Sequence, residues 1–232
     1  MPVDTLVLEL RRKEAERRVL QGFFAEISLV EQMRRRPPEA LVSPPLVAGF
    51  QMVESLRAQQ PEQAQLPENY AVFVNDGTVT NPFSIDNGLL RIIQREVRGV
   101  SGQEARARRV FDWMQGNIVY DYAFYHDLTY RDPHHRDYST SLETLHRGEG
   151  VCGEQAFLYI AMARTVGLKA GYVYVKCDYT HRKVDHGCAS VDVERGRILV
   201  DPAYQIYDVK HCKYEFLSDK QVIEYFQHWR EG

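Results

Sequence analysis

The chain has 232 residues, 44% of them apolar and 26% charged, and a formal net charge of -3. Such a composition supports one good core with room for a smaller helical appendage, and it offers no electrostatic attraction to a phosphate backbone or an anionic bilayer. Nucleic acid and membrane are thereby excluded as expected partners. The N-terminus holds Arg11, Arg12 and Lys13 but no apolar run of signal-peptide length, and no later stretch approaches 18 uninterrupted apolar residues, so a cytoplasmic location is expected. Four cysteines, Cys152, Cys177, Cys188 and Cys212, are too few and too unevenly spread for a disulfide framework and are expected to be reduced. Each is then open to metal ligation or nucleophilic chemistry.

Residues 4–36 are rich in Leu, Glu, Arg and Ala, with Val19, Phe23, Ile27 and Val30 at helical spacing and Pro37-Pro38 as the stop. A second helical stretch over 46–59 leads into a Pro-, Gln- and Glu-rich linker over 60–69. The division expected is a helical extension over 1–68 and a main domain over 69–232. The extension either caps the core or acts as an arm through which the chain forms a homo-oligomer. Beyond the linker, residues 70–74 read as a short strand before an Asn75-Asp76-Gly77 turn. Helical periodicity follows over 86–97 and over 103–115, the latter with Ser101 as N-cap and Glu104 three residues on. Residues 117–120 then read as extended. Residues 123–138, crowded with Tyr, His, Asp and Arg, read as a loop that is either a solvated excursion or the wall of a site. Thr140 and Glu143 stand in capping-box register for a short helix ended by Gly148.

The next helix opens at Cys152, between Gly150 and Gly153, and ends at Gly167, with Ala156, Ile160 and Ala163 as one stripe. In the first turn, unpaired amides and the positive end of the helix dipole favour thiolate, and the flanking glycines would let a substrate backbone approach. The competing reading is a cysteine that merely packs the helix start. Downstream, a strand over 168–176 precedes two alternating strands, 185–192 and 197–203, around a Glu194-Arg195-Gly196 turn. Val191 and Val193 must share the buried face with Ile198 and Val200, which puts His186 and Asp201 together on the other face. Parity gives the shared face but not contact. An imidazole fixed by a carboxylate and facing a helix-terminal thiol activates that thiol for attack on a carbonyl. Cys152 is then the nucleophile, His186 the base and Asp201 its orienter, with the Cys152 amide as oxyanion donor and a second donor expected from residues 120–146.

From about residue 110 to 204 the order of Ile118-Val119-Tyr120-Asp121, Gly150-Val151-Cys152-Gly153, Gly167-Leu168, His186 and Asp201-Pro202 resembles the transglutaminase-like superfamily. The resemblance implies an α+β, papain-like core with the cysteine on a helix packed against an antiparallel sheet that carries the histidine and aspartate, and it maps the family's catalytic triad onto Cys152, His186 and Asp201. Where many members have His-Ala-Trp, this chain has His186-Gly187-Cys188, so the space beside the imidazole is wider or is filled by Tyr174 or Tyr204. The triad and the resemblance imply a cysteine-dependent acyl-transfer enzyme acting on an amide of a peptide or protein through a thioester. Hydrolysis is expected first, because no lysine-binding tunnel or Ca site of the large crosslinking enzymes is evident in the sequence, and no cofactor or metal is expected. Amine transfer and a non-catalytic interaction module of the same fold are the alternatives. Cys177, His181, His186, Cys188, His211 and Cys212 cluster in number sufficient for zinc, but none forms a Cys-x2-Cys pair. Residues 218–229 read as a closing helix packed through Val222, Tyr225, Phe226 and Trp229.

Overall fold

The structure, a computed structural model, describes residues 71–74, 81–130 and 137–231. The expected helical extension, the linker and the turn at 75–77 lie outside these residues.

A two-stranded parallel pair, β1 (Val72–Phe73) and β2 (Ser84–Ile85), precedes helices α1 (Asn87–Glu96) and α2 (Gln103–Asn117). Asp86 caps α1 by accepting from the Leu89 amide at 2.7 Å, as an Asx residue in extended conformation does. The start of α2 departs from expectation. Gly102, at φ 88°, is the residue before the helix, and the carboxylate of Glu194 accepts from the Gln103 and Glu104 amides in place of Ser101. A side chain 91 residues away caps this helix, so no local motif could reveal it.

Strand β3 (Val119–Tyr120) leads into α3 (Tyr122–Tyr130), so the first half of the segment expected to be a loop is helical. Asp121 starts it by accepting from the Phe124 amide at 2.8 Å, and Phe124 is buried at its base. Helix α4 (Ser141–Arg147) carries the expected capping box between Thr140 and Glu143 and ends at Gly148 in the left-handed region. Strand β4 (Glu149–Gly150) pairs in parallel with β3, Tyr120 against Gly150.

Helix α5 (Cys152–Thr165) is the core of the molecule. Every residue from Gly153 to Arg164 is buried, so it is apolar all round rather than along one stripe. Its three polar buried side chains are all engaged. Glu154 accepts from the Ser139 and Val151 amides, Gln155 donates to the Val119 and Gly150 carbonyls, and Arg164 grips Asp219 and the Ala170 carbonyl.

Strands β5 (Ala170–Cys177), β6 (Lys183–Val193), β7 (Gly196–Asp201), β8 (Ile206–Tyr207) and β9 (Lys213–Leu217) form an antiparallel sheet in the order β8-β7-β6-β5-β9. The β6–β7 register pairs Val191 with Ile198 and Ala189 with Val200, so odd positions of β6 face the core together with even positions of β7, as alternation requires. Tyr172 on this face packs on Phe157 of α5, with ring centroids 5.3 Å apart. On the other face Val173, Val175, Cys188, Leu199 and Val209 make a second apolar cluster. Helix α6 (Asp219–Glu231) closes the chain, burying Val222 and Phe226, while Tyr225 stays exposed and stacks on Trp229. No helix among the described residues is long and apolar enough to cross a membrane.

The cysteines depart from the expectation of four reduced thiols. Cys177 and Cys212 form a disulfide with their Cα atoms 5.4 Å apart, leaving Cys152 and Cys188 free. The antiparallel pairing of β5 with β9 brings these two ends together, and sequence spacing carries no trace of that pairing.

Candidate active site

Cys152 is the first residue of α5 and is partly exposed. The parallel β3–β4 pair places Tyr120 beside it. Burial first, and then the nearby thiol and tyrosines, raise the Tyr120 hydroxyl far above the usual phenol range, so it remains a proton donor. Tyr120 falls in the interval where sequence reasoning sought a second oxyanion donor. It also begins a wall of tyrosines, with Tyr122 and Tyr125 packed on it at 5.0 and 6.0 Å between centroids and both exposed.

The two glycines beside Cys152 are also required by internal packing. A β-carbon on Gly150 would meet Thr144 Cγ2 at 2.9 Å, and one on Gly153 would meet the Tyr172 hydroxyl at 3.2 Å. Gly187 is tighter still, with the Tyr172 hydroxyl 2.0 Å and the Gly153 Cα 3.3 Å from where its β-carbon would lie.

β7 pairs with β6 only over Ala189–Val193, so the half of β6 that carries His186 has no β7 partner, and the start of α5 stands against it at Gly187. Extending the register one residue sets Asp201 beside Cys188. His186 is therefore a diagonal rather than a direct neighbour of Asp201, and the long imidazole spans the offset. Its Nε2 lies 2.7 Å from Asp201 Oδ2. The Cys152 thiol lies near enough to His186 to favour its charged form, and since Nε2 is taken by Asp201, Nδ1 is the nitrogen left to face the sulfur. The structure thus hydrogen-bonds His186 to Asp201 and places Cys152 near His186.

Burial disfavours the His186 imidazolium, but the Asp201 carboxylate and the nearby Cys152 sulfur outweigh it and raise its pKa from 6.5 to about 10. For Asp201 burial works in the same uncharging direction, yet the bonds from His186 and then His211 hold the carboxyl below its ordinary value. Asp201 is saturated with donors. Oδ1 accepts from the Tyr204 amide at 2.9 Å, and Oδ2 accepts from His186 and from His211, whose Nε2 is 3.1 Å away. The Tyr204 ring stacks on His186 at 4.3 Å and 10°, so Tyr204, and not Tyr174, fills the space beside the imidazole. Cys188 is buried, and burial pushes its thiol well above the usual range.

Sequence reasoning named His211 only among candidate zinc ligands, not as a partner of Asp201, and Tyr204 entered it only as a space-filler. The signal for Tyr204 is its place in the tight turn after Asp201-Pro202. None exists for His211, which reaches Asp201 only through the excursion between β8 and β9. Among the described residues, two sets of potential metal ligands converge to within 4.8 Å of one another: Cys177, His181 and Cys212, and His186, Asp201 and His211. In the first the sulfurs are bonded to each other, and in the second the donor atoms already serve the hydrogen bonds above.

Fold and site together define an α+β protein with a partly exposed thiol at the start of a central helix, facing an imidazole and carboxylate on an antiparallel sheet. The chain belongs to the transglutaminase-like superfamily, whose family model matches residues 91–219, more than half its length. Similar solved structures include a candidate cysteine protease from Cytophaga hutchinsonii (13% identity, 79% of this chain and 52% of that one, TM-score 0.44). A second is described as a TGase (13% identity, 82% and 40%, TM-score 0.39). A third is a candidate protease from Parabacteroides distasonis (11% identity, 49% and 23%, TM-score 0.36). The chain therefore spans about half the length of the first of these structures or less of the others. No curated protein matches it.

Proposed function

We propose that the chain is a cysteine-dependent acyl-transfer enzyme that hydrolyses a peptide or side-chain amide bond through a thioester on Cys152. The observation that carries this reading is His186 held by Asp201 at 2.7 Å with the Cys152 thiol near enough to favour its charged form. The Cys152 thiolate attacks the amide carbonyl carbon, and the carbonyl oxygen takes the negative charge. The Cys152 amide and the Tyr120 hydroxyl are the donors for that oxygen. The imidazolium of His186 gives its Nδ1 proton to the leaving nitrogen as the C–N bond breaks, which leaves a thioester and a free amine. Water then adds to the thioester, losing its proton to His186, and the acid departs as the thiol reforms. Asp201 keeps the imidazole on Nε2–H and stabilises its charged form. Cys152 is partly exposed, which lets water reach a thioester there and supports hydrolysis over amine transfer.

The test needs no substrate at first. Iodoacetamide should label Cys152 rapidly at neutral pH, as read by peptide mass spectrometry, and His186→Ala should remove that reactivity. Labelling of Cys152 no faster than that of an ordinary thiol and indifferent to His186→Ala would overturn the reading. With amide substrates in hand, methylamine that speeds turnover of the acyl-enzyme many-fold over water would move the assignment to amine transfer.

A further inference from the structure

We propose that His211 is a positioning residue of this site, holding the Asp201 carboxylate in the one orientation that keeps His186 aimed at Cys152. The inference rests on the reading of Cys152, His186 and Asp201 as the reacting groups. His211 Nε2 donates to Oδ2, the same oxygen that receives His186 Nε2, and the side chains of His211 and Asp201 are both fully buried. Because Asp201 is held below the usual carboxylate range, it stays an acceptor and His211 must carry its proton on Nε2. Among the described residues His211 Nδ1 is buried with no partner, and the bond to Asp201 is the only hydrogen bond its ring makes there. A buried imidazole that leaves one nitrogen unsatisfied for a single bond to a carboxylate is costly as mere packing.

The bond matters because of what Asp201 lacks otherwise. Oδ1 is fixed by the Tyr204 amide, but Oδ2 would have His186 alone, since Leu199 and Val209 on the same face are apolar and the Cys188 thiol is at most a weak donor. A carboxylate with one mobile partner can turn with it. With His211 on Oδ2, the oxygen is pinned from a second element and the imidazole of His186 has a fixed point to pivot against. The backbone of His211 is itself tied on both sides. The Val209 amide donates to the Leu199 carbonyl at 3.0 Å, and the neighbouring Cys212 is joined to Cys177 by the disulfide and by a hydrogen bond from its amide to the Cys177 carbonyl at 3.1 Å. A positioning group has to be rigid to position anything.

The experiment measures the pH profile of iodoacetamide labelling at Cys152 in the full chain, in wild type, His186→Ala, His211→Phe, His211→Gln and His211→Asn. Gln sets an N–H donor where His Nε2 stands, and Asn cannot reach. Loss of a partner that orients a catalytic group commonly costs about 10- to 100-fold. His211→Phe should accordingly slow labelling at neutral pH about tenfold and move the profile towards higher pH, His211→Gln should recover most of both, and His211→Asn should not. A folded His211→Phe protein with the wild-type profile overturns the inference. If His211→Phe does not fold, equal labelling of the Gln and Asn variants overturns it and recovery by Gln alone upholds it. Slow wild-type labelling unchanged by His186→Ala removes the underlying reading and this inference with it, whereas a fast, His186-dependent wild type with indifferent His211 variants removes this inference alone.

Discussion

The hydroxyl of Tyr172 stands where Gly187 would carry its β-carbon, 2.0 Å from that point, with the tyrosine Cζ at 2.7 Å. The glycine following His186 is thus a packing necessity in this chain. Gly187→Ala forces the buried tyrosine or the start of α5 at Gly153 to move and should destabilise the fold by about 1–3 kcal/mol in urea denaturation. Pairing it with Tyr172→Phe removes the hydroxyl but not the ring, so the double variant should recover part of the loss, a non-additivity that a double-mutant cycle reads directly.

The raised pKa of His186 gives stability a defined pH course. Its folded value near 10 exceeds the unfolded 6.5, so the folded state binds more protons between these values. The stabilisation it brings is complete below pH 6.5 and is lost as pH rises through about 10. Asp201 has the opposite sign: held below its ordinary 3.8, it stabilises above that value and ceases to as pH falls through its folded value. The urea midpoint of wild type should therefore fall more steeply between pH 7 and 10 than that of His186→Gln.

The same titration bears on catalysis. The leaving amine needs the His186 proton, so kcat/KM for an amide should decline as pH rises through about 10. An ester of the same acyl group, whose leaving oxygen needs that proton less, should hold its rate further into alkali.

Arg164 has a guanidinium only 2% exposed, paired with Asp219 at 2.7 Å. Asp219→Ala takes the carboxylate from this buried cation while leaving its bonds to the Ala170 carbonyl, and should lower stability by about 3 kcal/mol in denaturant titration. Cys152 labelling at low temperature should keep its wild-type rate, since the pair joins α5 to α6 at the far end from the thiol.

The Cys177–Cys212 link closes a stretch with a sequence separation of 35. Its replacement by two serines should cost about 2–4 kcal/mol through the freedom restored to the unfolded chain. Non-reducing peptide mapping should recover the two cysteines in one linked peptide pair, and native alkylation should then find Cys152 alone reactive, with Cys188 protected by burial.

What the sequence determined by itself was everything set over a few residues. The Thr140–Glu143 capping box, the helix opening at Cys152 and the strand parity that puts His186 and Asp201 on one face all follow from short-range periodicity and capping chemistry, and each stands in the structure. The order of the Cys, His and Asp motifs carried the family and its fold class as well. Only the tertiary structure decided which distant groups arrive at those positions. Glu194 caps α2, the β3–β4 pair delivers Tyr120, Tyr172 takes the space at Gly187, and the β5–β9 pairing joins Cys177 to Cys212. His211 reaches Asp201 in the same way, through a turn of chain that no local pattern records. The reason is that propensity and alternation act between near neighbours, while these contacts depend on strand order and on the volume left between packed elements, which exist only once the chain has closed on itself.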